Sequence, residues 1–249
     1  MKVKNVLISQ PQPENDKSPY ADLAKQFNLN LTFRKLIKIE SVDNKEFRKT
    51  RINILDYTAI IFTSRHAVDH FFSLCEELRV TIPETMKYFC VSEAIALYLQ
   101  KYVQYRKRKI FFGKSTFPEL LELIKKHKGE NFIFPCAVNH TKDIPELLNS
   151  NKINHVIAPI YTTVPDVVED VDIDSFQMIV FFSPFGIESL KKNFPGYMQG
   201  ETIFAAFGAA TITAIENEGF EVHIKAPTQE APSMTMAIEQ YLNENKGKK

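Results

Sequence analysis

Val180-Phe181-Phe182-Ser183-Pro184-Phe185-Gly186-Ile187 and Ile61-Phe62-Thr63-Ser64-Arg65-His66-Ala67-Val68 read as the same device. Each begins as a short apolar run, meets a hydroxyl residue and passes into a segment of helical period. Ser183-Pro184 is an N-cap followed by proline at the first helical position, where the missing N–H has no partner to lose. Ser64 is the matching cap. Beyond it Val68, Phe71, Phe72, Cys75 and Leu78 fall on one helical face. Both stretches therefore read as strand, turn and helix, the unit of a parallel α/β sheet.

Working outward, the same unit recurs. Strands are expected at Val6–Ser9, Thr32–Ile39, Ala59–Thr63, Tyr88–Val91, Ile110–Phe112, Asn131–Phe134, His155–Pro159, Gln177–Phe182, Thr202–Phe207 and Glu221–Lys225. These runs are brief, rich in Val, Ile and Phe, and mostly non-alternating, as suits strands buried on both faces. Phe117, Leu120, Leu121 and Ile124 form another helical stripe, with Thr116 and Glu119 at capping-box spacing. The chain also resembles itself. The two opening stretches lie 119 residues apart, and Tyr88–Ala94 aligns with Phe204–Ala210. Ser115–Pro118 parallels Gln229–Pro232 at a similar offset. All α/β proteins repeat this unit, but ordered matches at a nearly constant offset favour duplication into two lobes with a ligand cleft between them. Leu36–Val42 and Ile160–Pro165 read as connectors, the second leading into an acidic run that ends at Asp174.

Composition excludes several classes. The sequence has 249 residues, 44% hydrophobic and 24% charged, which argues against disorder. Thirty-one Lys+Arg against 30 Asp+Glu leave a net charge of +1, so general nucleic-acid binding is not expected. Cys75, Cys90 and Cys136 lack zinc or disulfide spacing and read as reduced, buried thiols of a cytoplasmic protein. Val6-Leu7-Ile8 is too short for an export signal, and no apolar run suits a membrane span.

Chemical motifs are sparse. His66 and His70 have metal-ligand spacing, but Ala67 stands where a metalloprotease base would be, so two solvated histidines are expected and no metal. There is no G-x-S-x-G, no phosphate-binding P-loop and no G-x-G-x-x-G. What remains are four strand-to-helix turns lined by small or hydroxyl residues. They are Thr63-Ser64, Ser92, Ser183-Pro184-Phe185-Gly186 and Gly208-Ala209-Ala210-Thr211. In a parallel sheet such turns share the carboxyl edge, where helix N–H groups bind anions without an arginine. Ordinary helix capping explains any one of them; small residues at both matching pairs favour a common anionic ligand. Six basic residues between Lys101 and Lys114 read either as a solvated face or as a rim that attracts a polyanion.

Across nearly its whole length the sequence resembles the uroporphyrinogen-III synthase family. The first half does so through Val6–Pro11, Ile61–Val68 and Val91–Ala94. The second half adds Ile160-Tyr161-Thr162-Thr163-Val164-Pro165, Val180–Ile187, Ala205–Thr211 and Ala226–Thr228 in the family's order. The resemblance implies two similar doubly wound parallel-sheet lobes, one of them discontinuous, joined by a two-stranded β connector. The discontinuous lobe would be residues 1–35 and 172–249, the inserted lobe 40–160, and the connector 36–39 and 161–171. It also implies a monomer that converts hydroxymethylbilane to uroporphyrinogen III without cofactor or metal, with no nucleic-acid or membrane partner. Tyr161 matches the family's connector tyrosine and takes the role of proton donor. The sequence departs from the family at Gln10, where a basic residue is usual, at Ile95 for threonine, and at Ala209-Ala210. These departures leave room for a second reading, a synthase-like domain that binds a tetrapyrrole or other polyanion without turnover. A third, a two-lobed periplasmic-type binder, fits poorly with the missing export signal and the absence of Trp.

Overall fold

A computed structural model describes residues 2–13 and 17–245. The chain divides into two compact units, residues 1–38 with 163–249, and residues 39–162.

The first unit contains β1 (Asn5–Ile8), α1 (Pro19–Phe27) and β2 (Asn30–Phe33). The chain then crosses by β3 (Ile37–Ser41) into the second unit. There follow α2 (Asn44–Lys49), β4 (Ala59–Phe62), α3 (Arg65–Leu78), β5 (Lys87–Cys90), α4 (Glu93–Tyr98) and β6 (Ile110–Phe112). Next come α5 (Phe117–Lys125), β7 (Phe132–Ala137), α6 (Asp143–Ser150) and β8 (His155–Pro165), which leads back. The first unit is completed by β9 (Met178–Phe181), α7 (Pro184–Asn193), β10 (Ile203–Phe207), α8 (Ala209–Asn217), β11 (Ile224–Ala226) and α9 (Met234–Glu244).

The two sheets have related orders. One runs β11-β10-β9-β1-β2; the other, read in the same sense, runs β6-β5-β4-β7-β8-β3. Pairing is parallel from β11 through to β2 and from β6 through to β8. Matching strands keep the offset read from the sequence. β4 and β9 begin at 59 and 178, β5 and β10 at 87 and 203, β6 and β11 at 110 and 224. The fourth and fifth strands break the repeat in chain order. β7 and β8 follow β6 in the second unit, whereas their counterparts β1 and β2 open the chain.

The non-alternating strand sequences follow from burial on both faces. In β4, Ile60 and Phe62 join a cluster with Val68, Phe71 and Cys75 of α3 and Ile95 of α4. Ala59 and Ile61 point the other way, towards Leu120, Leu121 and Ile124 of α5. β9 repeats the arrangement. Met178 and Val180 meet Leu23 of α1 and Met234 and Ile238 of α9. Ile179 and Phe181 meet Ile187 and Leu190 of α7. Each Val, Leu, Ile, Phe or Met side chain so buried contributes about 1.5–3 kcal/mol. Gly186 is buried, and a Cβ there would come within 3.1 Å of the Phe181 ring, so the close approach of α7 to β9 favours glycine.

Two strand expectations are corrected. Thr32–Ile39 is not one strand: Arg34–Leu36 interrupts it, and the pieces join different sheets. Arg34 is drawn aside by Asp166 and Asp170, both at 3.0 Å, while Leu36 is buried at 1% exposure. His155–Pro159 does not stop at Pro159. It continues as β8 through the connector sequence, with Val42 N–H donating to the Ile160 carbonyl and Asp166 N–H to the Leu36 carbonyl. No helix among the described residues is long and apolar enough to cross a membrane.

Candidate functional site

The first-turn residues lie where parallel-sheet geometry places them, just beyond the carboxyl ends of strands. In the second unit, Thr63 and Ser64 follow β4 and Ser92 follows β5, its neighbour in the sheet. Ser64 caps α3, its hydroxyl accepting from Ala67 N–H at 3.0 Å. Ser92 occupies the cap position of α4, but its side chain makes no capping hydrogen bond. In the first unit, Ser183 caps α7 through Phe185 N–H, with Pro184 at the first helical position. Gly208 opens α8 at φ +87°, a left-handed conformation that disfavours any side chain. Its N–H is taken by the Ala226 carbonyl at 2.6 Å. Ala209 and Ala210, the first two residues of α8, are exposed, whereas the Thr211 N–H donates to the Gly208 carbonyl at 3.1 Å.

Thr211 does not present its hydroxyl at this turn: it is 3% exposed. Ile95, where the family threonine was expected, is likewise 7% exposed and packed beside α3. Neither of these two side chains is thus available to a ligand, and the side-chain hydroxyl left at the α4 turn is that of Ser92.

Tyr161 is placed by an irregularity in β8. The register runs Cys136 to Pro159 and then Ala137 to Tyr161, so Ile160 is an extra residue. Strand side chains alternate between faces, and one inserted residue reverses the side on which the next ones lie. Ala158 and Ile160 belong to the cluster against α3, and after the insertion Tyr161 packs against that same cluster. Its hydroxyl comes within 3.3 Å of Ser64 Oγ. Burial holds the phenol above its ordinary value of 10.0, while the Ser64 hydrogen bond works in the opposite direction. The group is therefore a protonated phenol at neutral pH, with a hydroxyl placed to support the charge left behind when its proton departs.

His70, read from the sequence as solvated, is half-buried. It stacks on the Tyr161 ring with centroids 5.1 Å apart and an interplanar angle of 19°. Its Nδ1 shares a 2.8 Å hydrogen bond with Ser41 Oγ. Burial, with His66 adding in the same direction, holds the imidazole below its ordinary value against the pull of Asp69. His66 is exposed. Among the described residues no three His, Cys, Asp or Glu side chains form a group that could hold a metal. Sequence reasoning gave no role to His70, because it depends on a face of β8 that only the inserted residue selects.

Next to His70, Asp69 accepts from Tyr98 at 2.7 Å, Tyr102 at 2.5 Å and Lys101 at 3.1 Å. Lys101 also lies over both tyrosine rings. Burial alone would raise the Asp69 carboxyl; the hydrogen bonds from Tyr102, Tyr98 and Lys101 outweigh it and leave the group below its ordinary 3.8. Its contribution to stability is therefore present above pH 3.8 and is lost as pH falls through the lower folded-state value. Asp69→Ala should cost about 1–3 kcal/mol, since it strands the polar partners. A urea-unfolding midpoint at neutral pH measures this, and the variant's acid sensitivity should be correspondingly smaller. The basic run is thus partly committed: Lys101 to Asp69, and Arg106 to Glu84 at 3.0 Å. Lys107, Arg108 and Lys114 are exposed.

Fold and site define a two-unit α/β protein whose parallel sheets present helix starts and, in one unit, a phenol held by a capping serine. The family model described as uroporphyrinogen-III synthase HemD matches residues 18–236, and the chain belongs to that family. A uroporphyrinogen-III synthetase structure from Helicobacter pylori 26695 is similar, with 15% identity, a TM-score of 0.56, and coverage of 97% of this chain and 99% of that one. The wild-type uroporphyrinogen III synthase of the extremely thermophilic bacterium Thermus thermophilus is similar at 12% identity and a TM-score of 0.43, covering 98% of each chain. Comparison with curated proteins gave no match.

Proposed function

We propose that this protein closes hydroxymethylbilane, a linear tetrapyrrole bearing eight carboxylates, to uroporphyrinogen III. Water is lost, ring D is attacked at its substituted carbon through a spiro intermediate, and the ring closes with ring D inverted. This supplies a precursor of haem and other tetrapyrroles. The observation that carries the reading is the Tyr161 hydroxyl 3.3 Å from the Ser64 cap, in a chain of this family. Tyr161 donates its proton to the departing hydroxyl, which leaves as water, a better leaving group than hydroxide. The remaining work is to hold the substrate folded, since unassisted closure gives the other isomer.

The substrate carboxylates are taken up by the turns at Thr63, Ser64 and Ser92, at Ser183, Pro184, Phe185 and Gly186, and at Gly208, Ala209, Ala210 and Thr211, through those helix-start N–H groups and the positive helix ends that these turns leave to a ligand; Phe185 and Gly186 N–H are bonded to Ser183 and Gly208 N–H to Ala226, so they are not among them. At the start of α8 the N–H groups of Ala209 and Ala210 serve, because the Thr211 side chain is enclosed and its N–H donates to the Gly208 carbonyl at 3.1 Å. The lobes are assigned as 1–35 with 172–249 and 40–160, joined by 36–39 and 161–171. No cofactor or metal takes part, and the protein acts as a monomer in the cytoplasm, without nucleic acid or membrane as partner. The cytoplasmic assignment draws on three free, buried cysteines, each with its thiol pushed up to about 12 by burial.

Hydroxymethylbilane generated in situ, followed by oxidation and separation of isomers, tests the reading. Type III product is expected. Type I alone would leave the second reading, a binder without turnover, which draws on the enclosed side chains of Ile95 and Thr211.

A further inference from the structure

The Tyr161 phenol is held on two sides by one helix. Ser64, the cap of α3, meets the hydroxyl, and His70, further along the same helix, lies flat against the ring. A tyrosine side chain has two rotatable torsions, and a hydroxyl contact alone does not fix the ring plane. His70 is itself fixed from outside α3, by Ser41 on β3. The groups around the imidazole are His66 and Asp69 on α3, Ser41 on β3 and Tyr161 on β8. Asp69, the nearby carboxylate, is occupied by Tyr98, Tyr102 and Lys101. His70 therefore offers the phenol a neutral, flat backing. Among the described residues, the groups that act on the Tyr161 ionisation besides burial are the Ser64 hydroxyl, which lowers it, and the Cys136 thiol, which raises it.

We propose that His70, anchored by Ser41, is a positioning residue that fixes the Tyr161 ring so that its hydroxyl is held at the Ser64 cap and aimed for proton transfer. Its consequence for turnover rests on the reading of Tyr161 as the proton donor. Misplacing a reacting group by about 1 Å can cost on the order of 100-fold, so His70 acts on kcat and not on substrate affinity.

The test uses His70→Ala and His70→Phe, each alone and combined with Tyr161→Phe, in the full-length protein. The ionisation of Tyr161 is read from tyrosinate absorbance as the difference between each protein and its Tyr161→Phe counterpart. His70→Ala should admit water to the ring face and bring the phenol down towards its ordinary value. It should lower kcat about 10- to 100-fold with KM nearly unchanged. His70→Phe keeps a flat partner and should restore most of both. With Tyr161 already replaced, His70→Ala should cost less than about two-fold, because its effect passes through the phenol. An unchanged Tyr161 titration in His70→Ala overturns the proposal, as does an equal loss of kcat in both backgrounds. If Tyr161→Phe keeps full turnover, the proton-donor reading fails, and the titration alone then decides the positioning.

Discussion

Tyr161→Phe should lower kcat for type III formation by about 100-fold or more, the usual contribution of a positioned general acid. The substitution removes one oxygen and little else. The phenylalanine ring keeps the stack on His70, and Ser64 still accepts from Ala67 N–H, so the start of α3 stays capped. The loss in stability should stay near 1 kcal/mol, the typical worth of one hydrogen bond. KM should change little, because the proton is transferred only as the carbon–oxygen bond breaks, and an interaction made in the transition state alone appears in kcat. Substrate that escapes the slowed enzyme closes unaided, so the type I fraction should rise as the type III rate falls. The pH profile carries a further sign. The phenol is held above 10.0, so the acid stays loaded across neutral pH, and its contribution should disappear only in alkali above that value. Wild-type kinetics and isomer ratio in the variant would remove Tyr161 from the mechanism.

Much of the scaffold is legible in the sequence because burial on both faces writes itself as unbroken apolar runs. Ala59–Phe62 and Met178–Phe181 feed alternate residues to opposite clusters, so neither shows alternation. Ser64 and Ser183 are legible as caps because a hydroxyl ahead of a helical stripe has a local task, whatever the tertiary structure. The features that decide the chemistry are not local. Thr32–Ile39 reads as one strand, since nothing in its composition marks that Asn30–Phe33 and Ile37–Ser41 belong to different sheets. Arg34, which sits in the gap, finds its partners at Asp166 and Asp170, far along the chain. Ile160 gives no sign that it is the extra residue in β8. Yet that insertion turns Tyr161 towards α3, and with it brings His70 and Ser41 into play. Thr211 shows the converse error: a hydroxyl in the right turn of sequence, but on the side of the helix that faces the core.

Ala210→Asp should lower kcat/KM about 10- to 100-fold while leaving the fold as stable as before or slightly more so. The two effects have opposite signs because they arise from one field. Ala210 is exposed in the first turn of α8, where unpaired N–H groups carry the positive end of the helix dipole. A carboxylate placed there stabilises the helix by about 0.3–1 kcal/mol. It would also occupy the N–H groups proposed for a substrate carboxylate and repel that carboxylate. The protein has a net charge of only +1, so it has no bulk charge with which to offset a local repulsion at the turns proposed to hold the carboxylates. Added salt should narrow the difference from wild type, since repulsion between exposed charges is screened over about 10 Å at 0.1 M. Ala210→Asn keeps the shape of the new side chain without its charge and should retain most of the activity. Thermal unfolding and steady-state kinetics of the two variants separate the contributions. Unchanged kcat/KM in Ala210→Asp would mean that the start of α8 is a capped helix end and not a seat for substrate. Binding would then have to rest on the remaining turns at Ser64, Ser92 and Ser183, where the hydroxyls of Ser64 and Ser183 are already engaged by their own helices and only Ser92 is uncommitted as a cap.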